Sequence, residues 1–271
     1  MKTLVSTDWL EKNLENVRIL DGSWHLPASN RNALNEFELA HIKNSNFFDI
    51  DKNSNQKSNL PHMLPKKEIW EKIISELGIK NSDHVVIYDN SDVISSCRVW
   101  YTFLYFNHDS NLVSVLDGGL KKWLKEKKQV TKDIKAFKKS SYLANENKSL
   151  VLNKEQINAN IENKSFELVD ARGRERFLGI QPEARKELKS GNIKNSKNMP
   201  FTELLNINDH TFKKKDELIS IFEKNKIDPN KKIAFTCGSG ITACVLGLTN
   251  SIISGRKPVV YDGSWAEYGI K

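Results

Sequence analysis

The run AFTCGSGITAC, residues 234–244, places a thiol where an apolar stretch ends and a glycine-rich turn begins. Glycines at 238 and 240 permit a tight curl in which the backbone N–H groups of residues 238 to 242 converge. A helix-like apolar pattern follows, so the positive end of its dipole faces the same point. Such a cradle stabilises negative charge, and Cys237 reads as a reactive thiolate at its mouth. The alternative is a buried structural cysteine, which leaves the flanking Gly-Ser-Gly without a purpose. Cys244 stands seven residues further on, about 10 Å along a helix axis. That is too far for an intrahelical disulfide. Cys244 and Cys97 read as small apolar residues of the core.

The elements that must position this thiol come in two copies. AHIKNSNFFDI at 40–50 recurs as GNIKNSKNMPF at 191–201, and VRILDGSW, ending at Trp24, matches FELVDARG, ending at Gly173. VSVLDGGLKKW and KPVVYDGSWAEY align through Asp117 and Asp262, and HVVIYDNSDVISSCRVW aligns with KIAFTCGSGITACVLGL. All four landmarks keep one order at offsets of 151, 149, 145 and 148 residues, as expected of a tandem duplication. At the position of Cys237 the first copy carries Asp89, so only the second copy keeps the thiol. Short β-branched runs at Val17–Leu20, Val85–Tyr88, Leu112–Leu116, Phe166–Val169, Ile233–Thr236 and Pro258–Tyr261 read as buried strands. Helical patterns at Lys66–Leu77, Cys97–Phe106, Gly119–Glu126, Lys154–Ile161, Lys214–Glu223 and Gly240–Asn250 lie between them. The alternation predicts an α/β fold with two tandem domains, each a central, mostly parallel sheet flanked by helices. The predicted boundaries are 1–130 for a non-catalytic domain, 131–150 for a polar linker and 151–271 for a catalytic domain.

Composition narrows the function classes. The 271 residues are 38% hydrophobic and 9% aromatic, enough for two ordinary cores. No apolar run approaches the roughly 18 residues of a membrane span. The start, MKTLVSTDWLEKNLENVRIL, has no signal-like apolar block, so a soluble chain in the cytoplasm is expected. Three cysteines, an odd and sparse set without a CxxC pair, argue for a reducing compartment and against a disulfide scaffold or a structural zinc. Neither a metal nor a cofactor is expected. The net charge of +8 comes from scattered lysines with no nucleic-acid motif among them, which reads as solvated surface that modestly favours small anions.

The tandem repeat with a cysteine loop in copy two alone resembles the rhodanese-type sulfurtransferases over nearly the whole chain. The loop CGSGIT resembles that of the 3-mercaptopyruvate sulfurtransferases, supported by HMLP at 62–65, FFDID at 47–51, LDGGL at 116–120 and DGSWAEYG at 262–269. The resemblance implies that Cys237 takes the sulfur of 3-mercaptopyruvate as a persulfide, releases pyruvate, and passes the sulfur to a thiol, small or thioredoxin-like, or to cyanide. It implies substrate contacts from Gly238, Gly240, Ile241 and Thr242, and a carboxylate-binding pair at Arg176 and Arg185, whose forks suit a keto-acid. It also implies a proton relay of Ser239, His62 and Asp51. This chain departs from the family pattern GHIPGA at Asn192 and Lys194-Asn195, and from Pro-Glu-Pro-Arg at Ala184.

Two rival enzymes and one non-enzyme share the fold. Phosphatases of this fold resemble C-x5-R, and the sixth residue after Cys237 is Ala243, so the phosphate clamp is absent. Thiosulfate sulfurtransferases resemble CRKGVT, with cations in the loop, whereas positions 238 and 239 are neutral here. A non-catalytic module for binding partners or sensing sulfur has no need of the retained cysteine.

Overall fold

The computed structural model describes residues 3–271, which cluster into two units. The first comprises residues up to Gln56, Leu64–Asn147 and Asn206–Phe212; the second comprises Lys57–Met63, Lys148–Leu205 and Lys213–Lys271. Met1 and Lys2, at the head of the stretch searched for a signal segment, lie outside the described residues.

In the N-terminal unit the order is β1 (Leu4–Val5), α1 (Thr7–Asn13), β2 (Arg18–Asp21), α2 (Ala33–Leu39), β3 (Ser45–Phe47), α3 (Ile50–Asn53), α4 (Lys67–Glu76), β4 (Val85–Tyr88), α5 (Ser96–Tyr105), β5 (Val113–Leu116) and α6 (Gly119–Lys125). The C-terminal unit has β6 (Val151–Leu152), α7 (Lys154–Asn163), β7 (Glu167–Asp170), α8 (Arg174–Phe177), β8 (Lys197–Asn198), α9 (Lys215–Lys224), β9 (Ile233–Thr236), α10 (Ala243–Ser254), β10 (Val259–Tyr261) and α11 (Ser264–Tyr268). The sheets run β1-β5-β4-β2-β3 and β6-β10-β9-β7-β8, each wholly parallel and each the topological copy of the other. The duplicated α/β architecture expected from the sequence is the architecture found.

Every residue of the central strands β4 and β9 is buried, because helices cover both faces of a parallel sheet. On one face of the first sheet Val86 and Tyr88 pack with Leu10 of α1 and Leu120 and Trp123 of α6. In the second sheet Ala234 and Tyr261 pack with Ile157 of α7 and Trp265 of α11. On the opposite face α10 crosses close to the strands at Gly247, where a Cβ would stand 2.7 Å from Pro258. Helix α10 begins at Ala243 and not at Gly240 as the apolar pattern predicts, which keeps residues 238–242 free to form a loop.

The repeat extends to single turns. Asn44 and Asn195, equivalent in the two KNS turns, both adopt left-handed backbone, at φ 65° and 66°. Asparagine tolerates this region better than other residues with a Cβ. Asn195 thus stands in for the glycine of the family pattern, and Asn192 donates to the Phe177 carbonyl at 3.0 Å. The stretch read as a linker is bonded along the N-terminal unit: Thr131 bridges His41, Ser140 N–H donates to Ser75, and Asn147 N–H to Tyr105.

Candidate active site

Cys237 follows β9, the central strand, at the carboxyl end of the sheet, where open α/β sheets place ligands. It is 2% exposed. The turn after β10 holds its backbone: Cys237 N–H donates to Ser264 Oγ at 3.3 Å, and the Cys237 and Gly238 carbonyls accept from Trp265 and Ala266 N–H, both at 2.9 Å. Ser264 sits in left-handed backbone (φ 48°) with its hydroxyl donating to Tyr261 O at 2.8 Å. The DGSW landmark therefore clamps the cysteine loop from the neighbouring strand.

Gly240 takes φ 82°, the conformation that turns the loop into α10. The N–H groups of Gly238, Ser239, Ile241, Thr242 and Ala243 donate to no protein acceptor among the described residues. They form a set of donors open to an anion at the foot of a 12-residue helix. Cys244, fully buried, directs its thiol to the Gly240 carbonyl at 3.2 Å.

Ser239 and His62 meet in the same unit, with Ser239 Oγ 3.0 Å from His62 Nδ1. His62 is buried, and its backbone is left-handed at φ 60°. Asp51 belongs to the N-terminal unit, in α3, where its Oδ2 accepts from Trp24 Nε1 at 3.0 Å. Arg176, on α8, reaches the cysteine loop: its Nη2 lies 3.4 Å from where a Cβ on Gly238 would be. Arg185 is half-buried, and its guanidinium makes no ion pair or hydrogen bond among the described residues.

Two residues that carry this arrangement were not singled out by sequence reading. Arg172 is buried and bonds both oxygens of Asp170, its Nη2 reaching Oδ2 at 2.7 Å, while its guanidinium lies 4.3 Å from the Trp265 ring centre. Glu183, with a side chain 3% exposed, accepts from Arg172 Nη1 at 2.8 Å and from Arg176 Nη2 at 2.5 Å. The alternation of sign in DARGRERF…PEAR was the available signal, but nothing in the spacing tells which charges are buried together.

The equivalent loop of the N-terminal unit is closed by its own side chains. Asp89 Oδ1 accepts from Ser91 N–H at 2.8 Å and Oδ2 from Ser96 N–H at 2.9 Å. Asn90 N–H donates to Ser23 Oγ, Val93 N–H to Ser91 Oγ, and Ile94 N–H to Ser91 O. Burial pushes the Asp89 carboxyl above its ordinary range, and pushes Asp21 up to about 7 and Asp117 up to about 6. Among the described residues no group of three or more His, Cys, Asp or Glu side chains is disposed to hold a metal, and no helix is long and apolar enough to cross a membrane.

Comparison with known proteins places this geometry. Residues 6–126 and 153–271 each match the family model for the rhodanese-like domain. The 3-mercaptopyruvate sulfurtransferase of Mus musculus is 39% identical over 278 residues, covering 98% of this chain and 92% of the relative. The thiosulfate sulfurtransferase of Bos taurus is 38% identical over 276 residues, with the same coverage of both. Among solved structures, SseA of Escherichia coli, described as a 3-mercaptopyruvate sulfotransferase, matches with a TM-score of 0.87 at 29% identity, over 98% of this chain and 99% of its own. Relatives named for the two donors are equally similar, so overall likeness fixes sulfur transfer and leaves the donor to local features. The chain belongs to the rhodanese-domain sulfurtransferases, and it is a sulfurtransferase enzyme.

Proposed function

We propose that the enzyme takes sulfur from 3-mercaptopyruvate onto Cys237 and passes it to a thiol. Cys237 Sγ attacks the donor sulfur and forms an S–S bond. The donor C–S bond breaks with its electron pair passing to carbon, and the resulting enolate takes a proton to become pyruvate. The persulfide anion stays among the open N–H groups of Gly238, Ser239, Ile241, Thr242 and Ala243, which stabilise it as they would a thiolate. Arg185 and Arg176 hold the donor carboxylate, with Gly238, Gly240, Ile241 and Thr242 forming the wall of the site. His62, bonded to Ser239, moves the proton in this reading, with Asp51 as the third member of the relay. An acceptor thiol, small or on a thioredoxin-like protein, then attacks the outer sulfur; cyanide serves in its place in the test tube. A reducing compartment such as the cytoplasm suits three free cysteines.

The observation that carries the choice of donor is the chemistry of the loop. Residues 238–243 are Gly, Ser, Gly, Ile, Thr and Ala, with open donors but no cation of their own. A monocarboxylate held at a distance fits this, whereas a compact dianion calls for charge in the loop. Thiosulfate is the second reading, favoured by the approach of Arg176 to Gly238. Steady-state kcat/KM for the two donors, measured side by side with cyanide as acceptor, tests the choice. We expect 3-mercaptopyruvate to be preferred, and Arg185→Ala to weaken its use by about 1.5–3 kcal/mol. Preference for thiosulfate would overturn the assignment of donor.

A further inference from the structure

Glu183 lies two residues before Arg185 and bonds one arginine with each carboxylate oxygen, Arg172 through Oε1 and Arg176 through Oε2. The run Asp170–Arg172–Glu183–Arg176 alternates in sign and carries two carboxylates and two guanidiniums, so its net charge is zero. Its inner members are buried, with side chains 1% to 3% exposed, while Arg176 is 34% exposed and reaches the cysteine loop at Gly238. A cation paired at contact distance with a buried carboxylate presents a dipole to its surroundings, not a full charge. It nevertheless keeps most of its five N–H donors for a ligand. Arg185 has no such partner among the described residues.

We propose that Glu183 sets donor selectivity: it fixes Arg176 against the cysteine loop while cancelling its charge. One uncompensated cation, Arg185, then faces the donor, which matches a single carboxylate and disfavours a dianion. This proposal rests on the reading of Cys237 as the sulfur carrier. Glu183 acts through Arg176 and is a positioning residue. The charge arithmetic fixes the sign of three variants. Glu183→Gln uncovers the Arg176 charge beside the loop and favours thiosulfate. Arg176→Met uncovers Glu183 and disfavours it: the N–H donors lost with Arg176 serve either anion and cost both, so the uncovered charge alone moves the ratio. The double variant is again neutral.

The test is the ratio of kcat/KM for thiosulfate to that for 3-mercaptopyruvate, with folding checked by circular dichroism. We expect Glu183→Gln to raise the ratio about tenfold, mainly through a lower KM for thiosulfate, as one unit of charge near a protein surface allows. Arg176→Met should lower the ratio, Glu183→Asp should hold it, and Glu183→Gln/Arg176→Met should return it close to the parent value. Equal losses with both donors in Glu183→Gln would reduce Glu183 to structural support and overturn the proposal. A double variant whose ratio stands as far above the parent value as that of Glu183→Gln would also overturn it. Should Glu183→Gln not fold, Arg176→Met alone decides, and a ratio that rises or stays fixed overturns the proposal. Absence of sulfur on Cys237 in the parent enzyme, with either donor, would instead sink the underlying reading of function.

Discussion

The loops that follow β4 and β9 occupy the same place in two copies of one sheet, yet their hydrogen bonds run in opposite senses. After β4, the Asp89 carboxylate accepts two of the loop N–H groups, and Ser23 and Ser91 accept others. After β9 the N–H groups of Gly238, Ser239 and Ile241, which correspond to those of Asn90, Ser91 and Val93, donate to no protein acceptor among the described residues. Cys244 N–H, which corresponds to that of Ser96, donates to the Ile241 carbonyl at 3.0 Å, and the residue at the position of the carboxylate is Cys237. Both loops are held from the adjacent strand in the same way: Leu120 N–H bonds the Asp89 carbonyl and Trp265 N–H bonds the Cys237 carbonyl, each at 2.9 Å. The turn residue before each donor is left-handed, Gly119 in one copy (φ 51°) and Ser264 in the other (φ 48°). The scaffold is thus shared, and the difference lies in what fills the cradle. A fixed carboxylate makes the first loop self-sufficient, while the second awaits a negative charge from the chemistry itself.

The harshest test of this contrast is to remove the thiol. Cys237→Ser should abolish sulfur transfer with every donor, because a hydroxyl is far less acidic than a thiol and does not carry sulfur. Cys97→Ala and Cys244→Ala should retain most activity in assays of the folded protein. Loss of activity in folded Cys244→Ala equal to that of Cys237→Ser would end the one-thiol account.

The next effect concerns proton transfer, which has no counterpart in the N-terminal loop. His62→Ala should lower turnover roughly 10²–10⁴-fold while a single-turnover assay still finds sulfur on Cys237. Asp51→Asn should act in the same direction and less strongly. A parent-like rate and pH–rate profile in His62→Ala would leave its 3.0 Å bond to Ser239 as a structural contact.

Backbone shape separates the loops more finely. Gly240→Ala places a Cβ in left-handed backbone and should cost about 1–2 kcal/mol in urea denaturation, with a fall in activity. The equivalent residue in the first copy, Asp92, is 73% exposed and lies outside that region. Asp92→Ala should change stability by no more than about 0.5 kcal/mol. Equal costs at the two positions would show that the loops are not built differently.

The smallest effect belongs to the acidic end of the first sheet. Asp21 has a folded-state value of about 7 against 3.8 in its ordinary state, raised first by burial, and it faces Ser23, Tyr88 and Asp89. The folded chain therefore binds its proton more tightly than the unfolded chain does. Its contribution is most favourable on the acid side and declines as pH rises from about 4 to about 7. Asp21→Asn keeps an acceptor for Ser23 N–H but has no proton to lose. Its Tm relative to the parent should therefore be higher at about pH 8 than at about pH 4. A Tm difference independent of pH would contradict the assignment.

Much of this was legible in the residues. Val85–Tyr88 and Ile233–Thr236 were read to the residue, because central strands of a parallel sheet are apolar on both faces and end sharply at turn residues. Edge strands such as Leu4–Val5, Val151–Leu152 and Lys197–Asn198 have two residues each, too few to show any period. Helix α8 has four residues and left no pattern either. In the site, Cys237 and its glycines announced themselves because their chemistry is local. Glu183 and Arg172 did not, since their roles depend on which charges the fold buries together, and a string of mixed charges reads first as solvated surface. The left-handed backbone of His62 was equally hidden, being imposed by its surroundings and not by its residue type.

The most direct measurement of the central claim is peptide mass spectrometry of the enzyme after exposure to 3-mercaptopyruvate without an acceptor, alongside the pyruvate released. The account predicts the mass of one added sulfur atom on the peptide containing Cys237, one pyruvate per chain, and unchanged peptides containing Cys97 and Cys244. Pyruvate release with no sulfur retained on Cys237, or sulfur found on either of the other cysteines, would contradict it.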